Sequence, residues 1–191
     1  KLIKKYNCPN ILLNCSFPYN KDYKFCNFNN IKINYLKSNI ESILVSSTWI
    51  SLVAAKNMLK YKVSGSIINF GSIYGMVGQN LNIYKNTNIK ENITYSIAKG
   101  GIINLTRQMS SYYGKKNIRI NTLSPGGVEG PVAGQHNTQD TQFIKNYSIQ
   151  SPIGRLAKKE EIAKAVLFLA SDLSSYVNGS NLVVDGGWTS I

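Results

Sequence analysis

The stretch Gly65-Ser-Ile-Ile-Asn-Phe-Gly-Ser72 decides the fold class of this chain. A short apolar run enclosed by glycines is typical of a buried strand, because a helix needs a longer periodic segment. The pattern therefore predicts a strand from Ser66 to Phe70 that ends in a turn at Gly71-Ser72.

Long helical patterns flank that strand on both sides. Apolar residues recur at near-helical intervals up to about Lys60, and Ser38 and Glu41 have the spacing of a capping box at a helix start. A second helix is predicted from Tyr95 to Tyr113, closed by Gly114 as a left-handed cap.

The remaining segments continue the alternation of strands and helices. They are a strand over 11–13 that ends at Asn14, a strand over 118–123, a loop with a short helix over 127–157, a helix from Lys159 to Ala170 and a strand from Asn181 to Val184. Strands separated by helices pair in parallel through right-handed crossovers. We therefore predict one α/β domain over residues 1–191, with a Rossmann-like, doubly wound parallel sheet of about four strands. Its ligand site is expected at the carboxyl ends of the strands.

A net charge of +13 is compatible with binding to nucleic acid, since clustered cations release counterions from phosphates. The cations are dispersed, however, and no basic run is longer than two residues. The sequence therefore favours solvated surface charge and no nucleic-acid partner. A basic nucleic-acid-binding domain stays as the weakest of three functional hypotheses.

The cysteines and the histidine form no metal or disulfide pattern. Cys8, Cys15 and Cys26 are odd in number and lack the spacing of a metal or redox site, and His136 is the only histidine. The weakly polar stretch from Ile43 to Ala55 is too short to span a bilayer, and the Lys-rich N-terminus lacks the apolar region of a signal peptide. We therefore expect a cytoplasmic protein with no metal and no membrane contact.

Two Tyr-x-x-x-Lys pairs occur in the second helical region, Tyr95 with Lys99 and Tyr112 with Lys116. With 12 Tyr and 19 Lys among 191 residues, chance gives about one such pair, so the spacing alone carries little weight. Context separates them, because only Tyr95 begins a helix that follows a strand ending in Ser72.

The chemistry of Ser72, Tyr95 and Lys99 explains why the three belong together. A Lys cation about 4 Å from a phenol contributes about 4 kcal/mol at an effective dielectric constant of about 20, so we expect Lys99 to lower the Tyr95 pKa. Tyr95 would then exchange a proton with a substrate oxygen, while Ser72 hydrogen-bonds the same oxygen. A turn serine and a half-buried tyrosine are the simpler interpretation of each residue taken alone.

Five motifs stand in the order of one enzyme family. They are Asn69-Phe-Gly-Ser72-Ile-Tyr-Gly75, Tyr95-x-x-x-Lys99, Asn121-Thr-Leu-Ser-Pro125-Gly126, Pro152-Ile-Gly-Arg155 and Asn178-Gly-Ser-Asn-Leu-Val-Val-Asp185-Gly-Gly. Together they resemble the short-chain dehydrogenase/reductase family over essentially the whole chain. The resemblance begins at Ile11-Leu-Leu-Asn14, which is similar to that family's strand-ending Asn-Asn-Ala-Gly element.

The resemblance implies hydride transfer between a nicotinamide cofactor, NAD or NADP, and an alcohol or carbonyl substrate. It implies that Ser72, Tyr95 and Lys99 are catalytic. It also implies a set of residues against the cofactor, namely Asn14, Tyr95, Lys99, Pro125, Gly126 and Val128. Residues 127–157 would form a mobile segment that covers the substrate.

Two departures from the family pattern concern the cofactor and the proton relay. No glycine precedes Gly65, so the family's glycine-rich phosphate turn is absent, and the first βαβαβ half of the fold with it. We therefore expect this chain alone to bind a dinucleotide weakly or not at all. Leu44 stands where the family has an asparagine that supports the lysine through a water, although Ser46 or Ser47 would substitute if the helix is locally irregular.

A third departure is an insertion of about ten residues between Gln79 and Asn92. We expect it at the mouth of the substrate pocket, where it would shape specificity. The inserted segment and the stretch from Phe168 to Val177 are similar to the flagellin modification protein A type of the family. That similarity implies a sugar or amino-sugar precursor as substrate.

The resemblance also implies a homodimer or homotetramer, assembled through the second long helix and through the last helix and strand. Ile103, Met109 and the run from Ala165 to Ala170 suit such interfaces, with buried core as the alternative. The first strand is expected to be an exposed apolar edge. The main alternative to an oxidoreductase is a non-catalytic, truncated member of the family that keeps its assembly surfaces.

Overall fold

The computed structural model describes residues 8–18, 20–131 and 139–191. Four parallel strands form one sheet in the order β1 (Ile11–Asn14), β2 (Gly65–Phe70), β3 (Ile118–Pro125) and β4 (Asn181–Val184). The longer helices in these residues are α1 (Ile33–Lys60), α2 (Ile93–Tyr113), α3 (Thr141–Gln150) and α4 (Lys159–Ala170). The predicted parallel α/β sheet is confirmed, and α3 is the short helix expected within 127–157. Residues 132–138 of that segment, with His136, lie outside the described residues.

Side chains of β2 alternate between the two covered faces of the sheet. Ile67 packs in a core with Met58 of α1 and Met109 of α2. Its neighbour Ile68 packs in a second core with Leu169 of α4. Each fully buried aliphatic side chain of this kind contributes about 1.5–3 kcal/mol, so both layers hold the sheet in place.

The connection from β3 to β4 differs in hand from the first two connections. The chain advances in one direction across the sheet, yet α1 and α2 cover one face and α4 covers the other. The expectation of uniformly right-handed crossovers is therefore wrong for one connection. The handedness rule describes a helix that packs directly between its strands, whereas this connection also contains α3 and long loops.

Helix α1 starts earlier than its sequence pattern predicts and contains a π-helical turn at Glu41–Val45. The capping box at Ser38 is wrong, because the chain is already helical there and Leu36 N donates to Lys32 O at 3.0 Å. The Ser38 hydroxyl instead accepts a hydrogen bond from Asn20 Nδ2. A tertiary contact from the preceding loop therefore uses the group that the pattern assigned to a cap.

Helix α2 begins two residues before the predicted start. Asn92 caps it, with its Oδ1 accepting a hydrogen bond from Tyr95 N at 2.9 Å. Gly114 is not a left-handed cap, since its φ is −57° and the chain continues through a 3₁₀ turn. Asn117 takes the left-handed conformation instead, with φ 58°, which asparagine tolerates better than most residues.

Helix α1 is, by length and composition, apolar enough to cross a membrane, at 28 residues. The sequence pattern underestimated its length. Its inner face lies in the protein core, where Ala55 and Met58 have no exposed surface. The apolar character of α1 is therefore in part that of a helix packed on a sheet.

The exposed apolar surface lies only partly where the sequence placed it. Strand β1 has one neighbour, β2, among the described strands, and Ile11 and Leu13 are 42% and 45% exposed, which confirms an apolar edge. Ile103 and Met109 are wrong as interface positions, because α2 buries both in the core. Leu167 of α4 is 67% exposed and remains available for an interface.

Candidate active site

Strand ends and helix starts position the proposed catalytic groups. Ser72 follows β2 at its carboxyl end, and its Oγ accepts a hydrogen bond from Tyr74 N at 3.2 Å in the 3₁₀ turn Ile73–Gly75. Tyr95 lies in the first turn of α2, where the Asn92 cap holds its backbone N. The backbone positions from which the Ser72 and Tyr95 side chains extend are therefore fixed.

The structure brings Ser72, Tyr95 and Lys99 together. The Ser72 hydroxyl lies near enough to the Tyr95 phenol to act on the Tyr95 pKa. Lys99 Nζ lies 5.6 Å from the centroid of the Tyr95 ring and donates to Phe70 O at 2.7 Å. The hydroxyl, the phenol and the ammonium thus lie close together at the carboxyl edge of the sheet.

The Tyr95 pKa is raised, whereas we expected from the sequence that it would be lowered. Burial raises the pKa of this phenol, and the nearby Ser72 hydroxyl only partly opposes the rise. The expected lowering by Lys99 is wrong for this state, because the ammonium donates to Phe70 O and lies beside the ring. Tyr95 is therefore a protonated phenol at neutral pH and is suited to donate a proton.

Lys99 is a buried cation with spare hydrogen-bonding capacity. Burial lowers its pKa to about 8, while the nearby Cys15 thiol acts in the opposite direction. An ammonium group has three N–H donors, and Phe70 O is the single acceptor that Lys99 finds among the described residues. Two donors remain for ligand hydroxyls.

Asn14 lies at the carboxyl end of β1, and its side-chain amide is part of a buried polar network. Asn14 Nδ2 donates to Ser47 O and Ser51 Oγ, each at 2.9 Å, and to Asn69 Oδ1 at 3.2 Å. Asn14 Oδ1 is buried and has no hydrogen-bond partner among the described residues, and the predicted cofactor contact stays a prediction. The amide ties β1 and β2 to α1 through the buried polar network.

The loop after β3 is held close to α3 and β4. Gly127 N donates to Tyr147 Oη at 2.6 Å, and a Cβ on Gly126 would lie 2.8 Å from that same oxygen. Val128 forms a parallel bridge with Ala157. Glycine is required at 126 because a side chain there would collide with Tyr147, so the path of residues 125–128 is fixed.

The insertion is a closed, packed loop. Gln79 joins its two ends, since Gln79 Nε2 donates to Asn92 O at 2.7 Å and Gln79 Oε1 accepts from Asn92 N at 3.1 Å. Ile83 is fully buried, and the Tyr84 ring stacks on Phe143 of α3 at 6.3 Å between centroids. The insertion thus forms part of the wall beside the catalytic groups.

Leu44 lies in the π-helical turn of α1, and its side chain packs against Gly101 of α2. The local irregularity that the sequence analysis considered is therefore present. Ser46 does not replace the missing asparagine side chain in this state, because its hydroxyl hydrogen-bonds Ser42 O within α1. The Ser47 carbonyl accepts from Asn14 instead.

Sequence reasoning missed the aromatic residues around the proposed catalytic groups. The Phe17 ring lies edge-on to Tyr95 at 5.8 Å between centroids, and Tyr147 stacks on Trp188 at 4.3 Å. Tyr74 belongs to the same aromatic cluster as Tyr147. Tyr74 was visible in the motif after Ser72, but the contacts of Phe17 and Tyr147 depend on the tertiary fold.

Comparison with known proteins agrees with this geometry. A family model described as enoyl-(acyl carrier protein) reductase matches residues 3–189. The chain is 36% identical over 155 residues to 2-(S)-hydroxypropyl-CoM dehydrogenase 3 of Xanthobacter autotrophicus, covering 80% of this chain and 57% of the relative. The chain belongs to the short-chain dehydrogenase/reductase family. The predicted family membership is confirmed.

Two further relatives widen the range of names within the family. The chain is 41% identical over 129 residues to cis-4-hydroxycyclohexanecarboxylate dehydrogenase of Sinomonas cyclohexanicum, covering 67% of this chain and 46% of the relative. It is 34% identical over 155 residues to inactive 2-(S)-hydroxypropyl-CoM dehydrogenase 2 of Xanthobacter autotrophicus, covering 80% and 63%. The chain thus spans about half to two thirds of the length of these relatives.

Solved structures give the same result for the fold. A short-chain dehydrogenase from Leptospira borgpetersenii with bound NAD+ matches with a TM-score of 0.84 and 31% identity, over 98% of this chain and 68% of that chain. A 4-hydroxyisoleucine dehydrogenase complexed with NADH matches with a TM-score of 0.83 and 25% identity, over 100% and 72%. The Rossmann-like fold is therefore confirmed.

Proposed function

We propose that this chain carries the catalytic half of an NAD- or NADP-dependent oxidoreductase that interconverts an alcohol and a carbonyl compound. The observation that carries the proposal is that Ser72, Tyr95 and Lys99 lie close together at the carboxyl edge of the sheet. Relatives named as dehydrogenases of hydroxylated compounds and a matching structure with bound NAD+ support it.

In this mechanism Tyr95 handles the proton and Ser72 positions the substrate oxygen. In the direction of carbonyl reduction, the protonated Tyr95 phenol donates its proton to the carbonyl oxygen, and the Ser72 hydroxyl hydrogen-bonds that oxygen as it gains negative charge. The nicotinamide cofactor, when bound, supplies or accepts the hydride. The Lys99 ammonium would have to turn from Phe70 O toward the Tyr95 oxygen to favour the phenolate that remains.

The residues present fit the nicotinamide end of such a cofactor. Lys99 has spare donors for hydroxyl groups, and the fixed loop over 125–128 supplies a close-packed backbone at the carboxyl end of β3. In our proposal Lys99 and Tyr95, together with Pro125, Gly126 and Val128, hold that end. Asn14 contributes through its position in the strand and through the polar network.

For the substrate we propose a polar alcohol such as a sugar or amino-sugar precursor. The Gln79 and Asn80 amides hold the insertion in place through hydrogen bonds within the protein, so the support for this class comes from sequence resemblance. The resemblance of this segment to the flagellin modification protein A type supports the same class. We also propose a cytoplasmic homodimer or homotetramer, in which Leu167 belongs to an interface.

The proposed activity is tested by mixing the chain with NADH or NADPH and a panel of ketoses and small ketones. Oxidation of the reduced cofactor, followed by absorbance, supports the proposal when its rate saturates with both cofactor and ketone. Absence of turnover at millimolar cofactor across the panel contradicts activity of this chain.

The second candidate is a non-catalytic member of the family. Leu44, packed on Gly101 where the family has asparagine, favours it, and one relative is itself named inactive. Titration calorimetry separates the two, because tight stoichiometric binding of NAD or NADP by the 191-residue chain excludes this candidate. Undetectable binding together with absent turnover supports it.

A further inference from the structure

Tyr74 carries a buried hydroxyl with no hydrogen-bond partner among the described residues. Leaving a buried hydroxyl unpaired is unfavourable, and native proteins keep few such groups, so each one calls for a reason. The Tyr74 backbone N donates to Ser72 Oγ at 3.2 Å. Tyr74 is therefore fixed directly beside the serine of the proposed catalytic set.

The other two phenols in the same aromatic cluster are satisfied. Tyr84 donates to Gln79 Oε1 at 3.0 Å, and Tyr147 Oη accepts from Gly127 N at 2.6 Å. Tyr84 lies near enough to affect the Tyr74 pKa, but the two hydroxyls lack hydrogen-bond geometry. The hydroxyls of Tyr84 and Tyr147 thus have hydrogen-bond partners within the protein, whereas the Tyr74 hydroxyl has none among the described residues.

The Tyr74 hydroxyl also lies within electrostatic range of the catalytic phenol. Burial is the largest cause that raises the Tyr74 pKa, and Tyr84, Tyr147 and Tyr95 add to the rise. The phenol therefore stays protonated at all physiological pH values. It can donate a hydrogen bond but cannot serve as a base.

We propose that the Tyr74 hydroxyl is a specificity determinant that hydrogen-bonds a second substrate oxygen, on a carbon near the reacting one. This inference rests on the proposed oxidoreductase function and narrows its substrates to compounds such as vicinal diols and the corresponding hydroxyketones. A site that contains an unpaired buried polar group discriminates against a substrate that leaves the group unpaired.

The test compares 2,3-butanediol with 2-butanol, which differ by one hydroxyl group. In the unmodified chain the diol should have the higher kcat/KM, and in Tyr74→Phe the ratio of the two kcat/KM values should fall about tenfold. Tyr84→Phe is the matched control, since it removes a phenol oxygen that is already paired with Gln79. Its ratio should stay that of the unmodified chain, and its Tm should fall, whereas the Tm of Tyr74→Phe should not fall.

An unchanged ratio in Tyr74→Phe overturns the inference, and so does a fall in its Tm equal to that of Tyr84→Phe. If the unmodified chain oxidises neither alcohol, the proposed activity fails separately. The inference is then decided by thermal protection at high concentrations of each alcohol. Greater protection by the diol that disappears in Tyr74→Phe supports it, and equal protection in both proteins overturns it.

Discussion

One Tyr-x-x-x-Lys pair lies in helix α2 and a second spans its C-terminal end, and the environments of the two pairs differ. Lys99 is 6% exposed, and it lies beside a Tyr95 ring that is near Ser72. Tyr112 is 61% exposed, and Lys116 Nζ lies 3.4 Å from the centroid of its ring. The second pair has the closer cation, yet it lies on the surface, where solvent screens the charge.

The comparison shows that the four-residue spacing brings a tyrosine and a lysine close together, whereas burial changes the pKa values of their side chains. In the inner pair, desolvation raises the Tyr95 pKa and lowers the Lys99 pKa to about 8. Those shifts come from β2, the Ser72 turn and the loop after β1, none of which the helix sequence encodes. The outer pair is a cation–π contact at a helix end.

The largest expected difference between the pairs is in turnover. Tyr95→Phe should lower turnover by about 10²- to 10⁴-fold, because it removes the proposed proton donor. Tyr112→Phe is the matched control and should leave turnover within about twofold. The measurement is the rate of cofactor oxidation with a ketone substrate, and equal rates in the two variants would refute the assignment of the inner pair.

The pH dependence of the two reaction directions should also differ. Since burial raises the Tyr95 pKa, carbonyl reduction should proceed at neutral pH, while alcohol oxidation should increase by up to about tenfold per pH unit from pH 7 upward. The measurement is kcat/KM in both directions between about pH 6 and pH 10. A level oxidation profile above pH 7 would mean that Tyr95 is already ionised there.

The free energy of unfolding should depend on pH because of the buried Lys99 ammonium. Its pKa falls from 10.5 to about 8 on folding, so the folded state binds fewer protons between those values and stability rises with pH in that window. Between pH 7 and pH 10 the free energy of unfolding should rise by about 2 kcal/mol relative to Lys99→Met. Urea denaturation at each pH measures this difference, with Lys116→Met as the control for loss of a lysine. Parallel stability curves for wild type and Lys99→Met would contradict a buried ammonium.

The smallest effect is expected at the outer pair. Lys116→Ala should lower the free energy of unfolding by about 0.5–1 kcal/mol, because the cation–π contact with Tyr112 is exposed. Lys115→Ala is the control, since that exposed neighbour makes no ring contact among the described residues. Urea denaturation measures both variants, and equal losses would show that the contact adds nothing.

Much of the fold could be predicted from local sequence. The bounds of α4 and β4 were predicted correctly, because acidic residues at the start of α4 and the glycines after β4 mark element ends clearly. The sequence did not locate the start of α1, since Asn20 engages Ser38 from a loop that is distant in sequence. The site residues could be chosen by motif, but the direction of the Tyr95 pKa depends on burial.

The roles of the chosen site residues, and the single domain over 1–191, stay predictions. Asn14 illustrates the limit of motif transfer, because the motif predicted its position at the strand end correctly but gave no information on the partners of its amide. Side-chain direction depends on partners such as Ser51 and Asn69, which meet Asn14 only in the folded sheet.

The π-helical turn at Glu41–Val45 sets the angular phase between the two parts of α1. A π-helical turn uses one more residue than an α-helical turn for about the same rotation, so deleting one residue there would leave a regular α-helix with nearly unchanged phase. Asn39, Ala55 and Met58, which have no exposed surface, would then keep their places in the interior. Single-residue deletions within 41–45 should thus be tolerated, whereas a deletion in the regular α-helical part of α1 would turn one part by about 100° relative to the other.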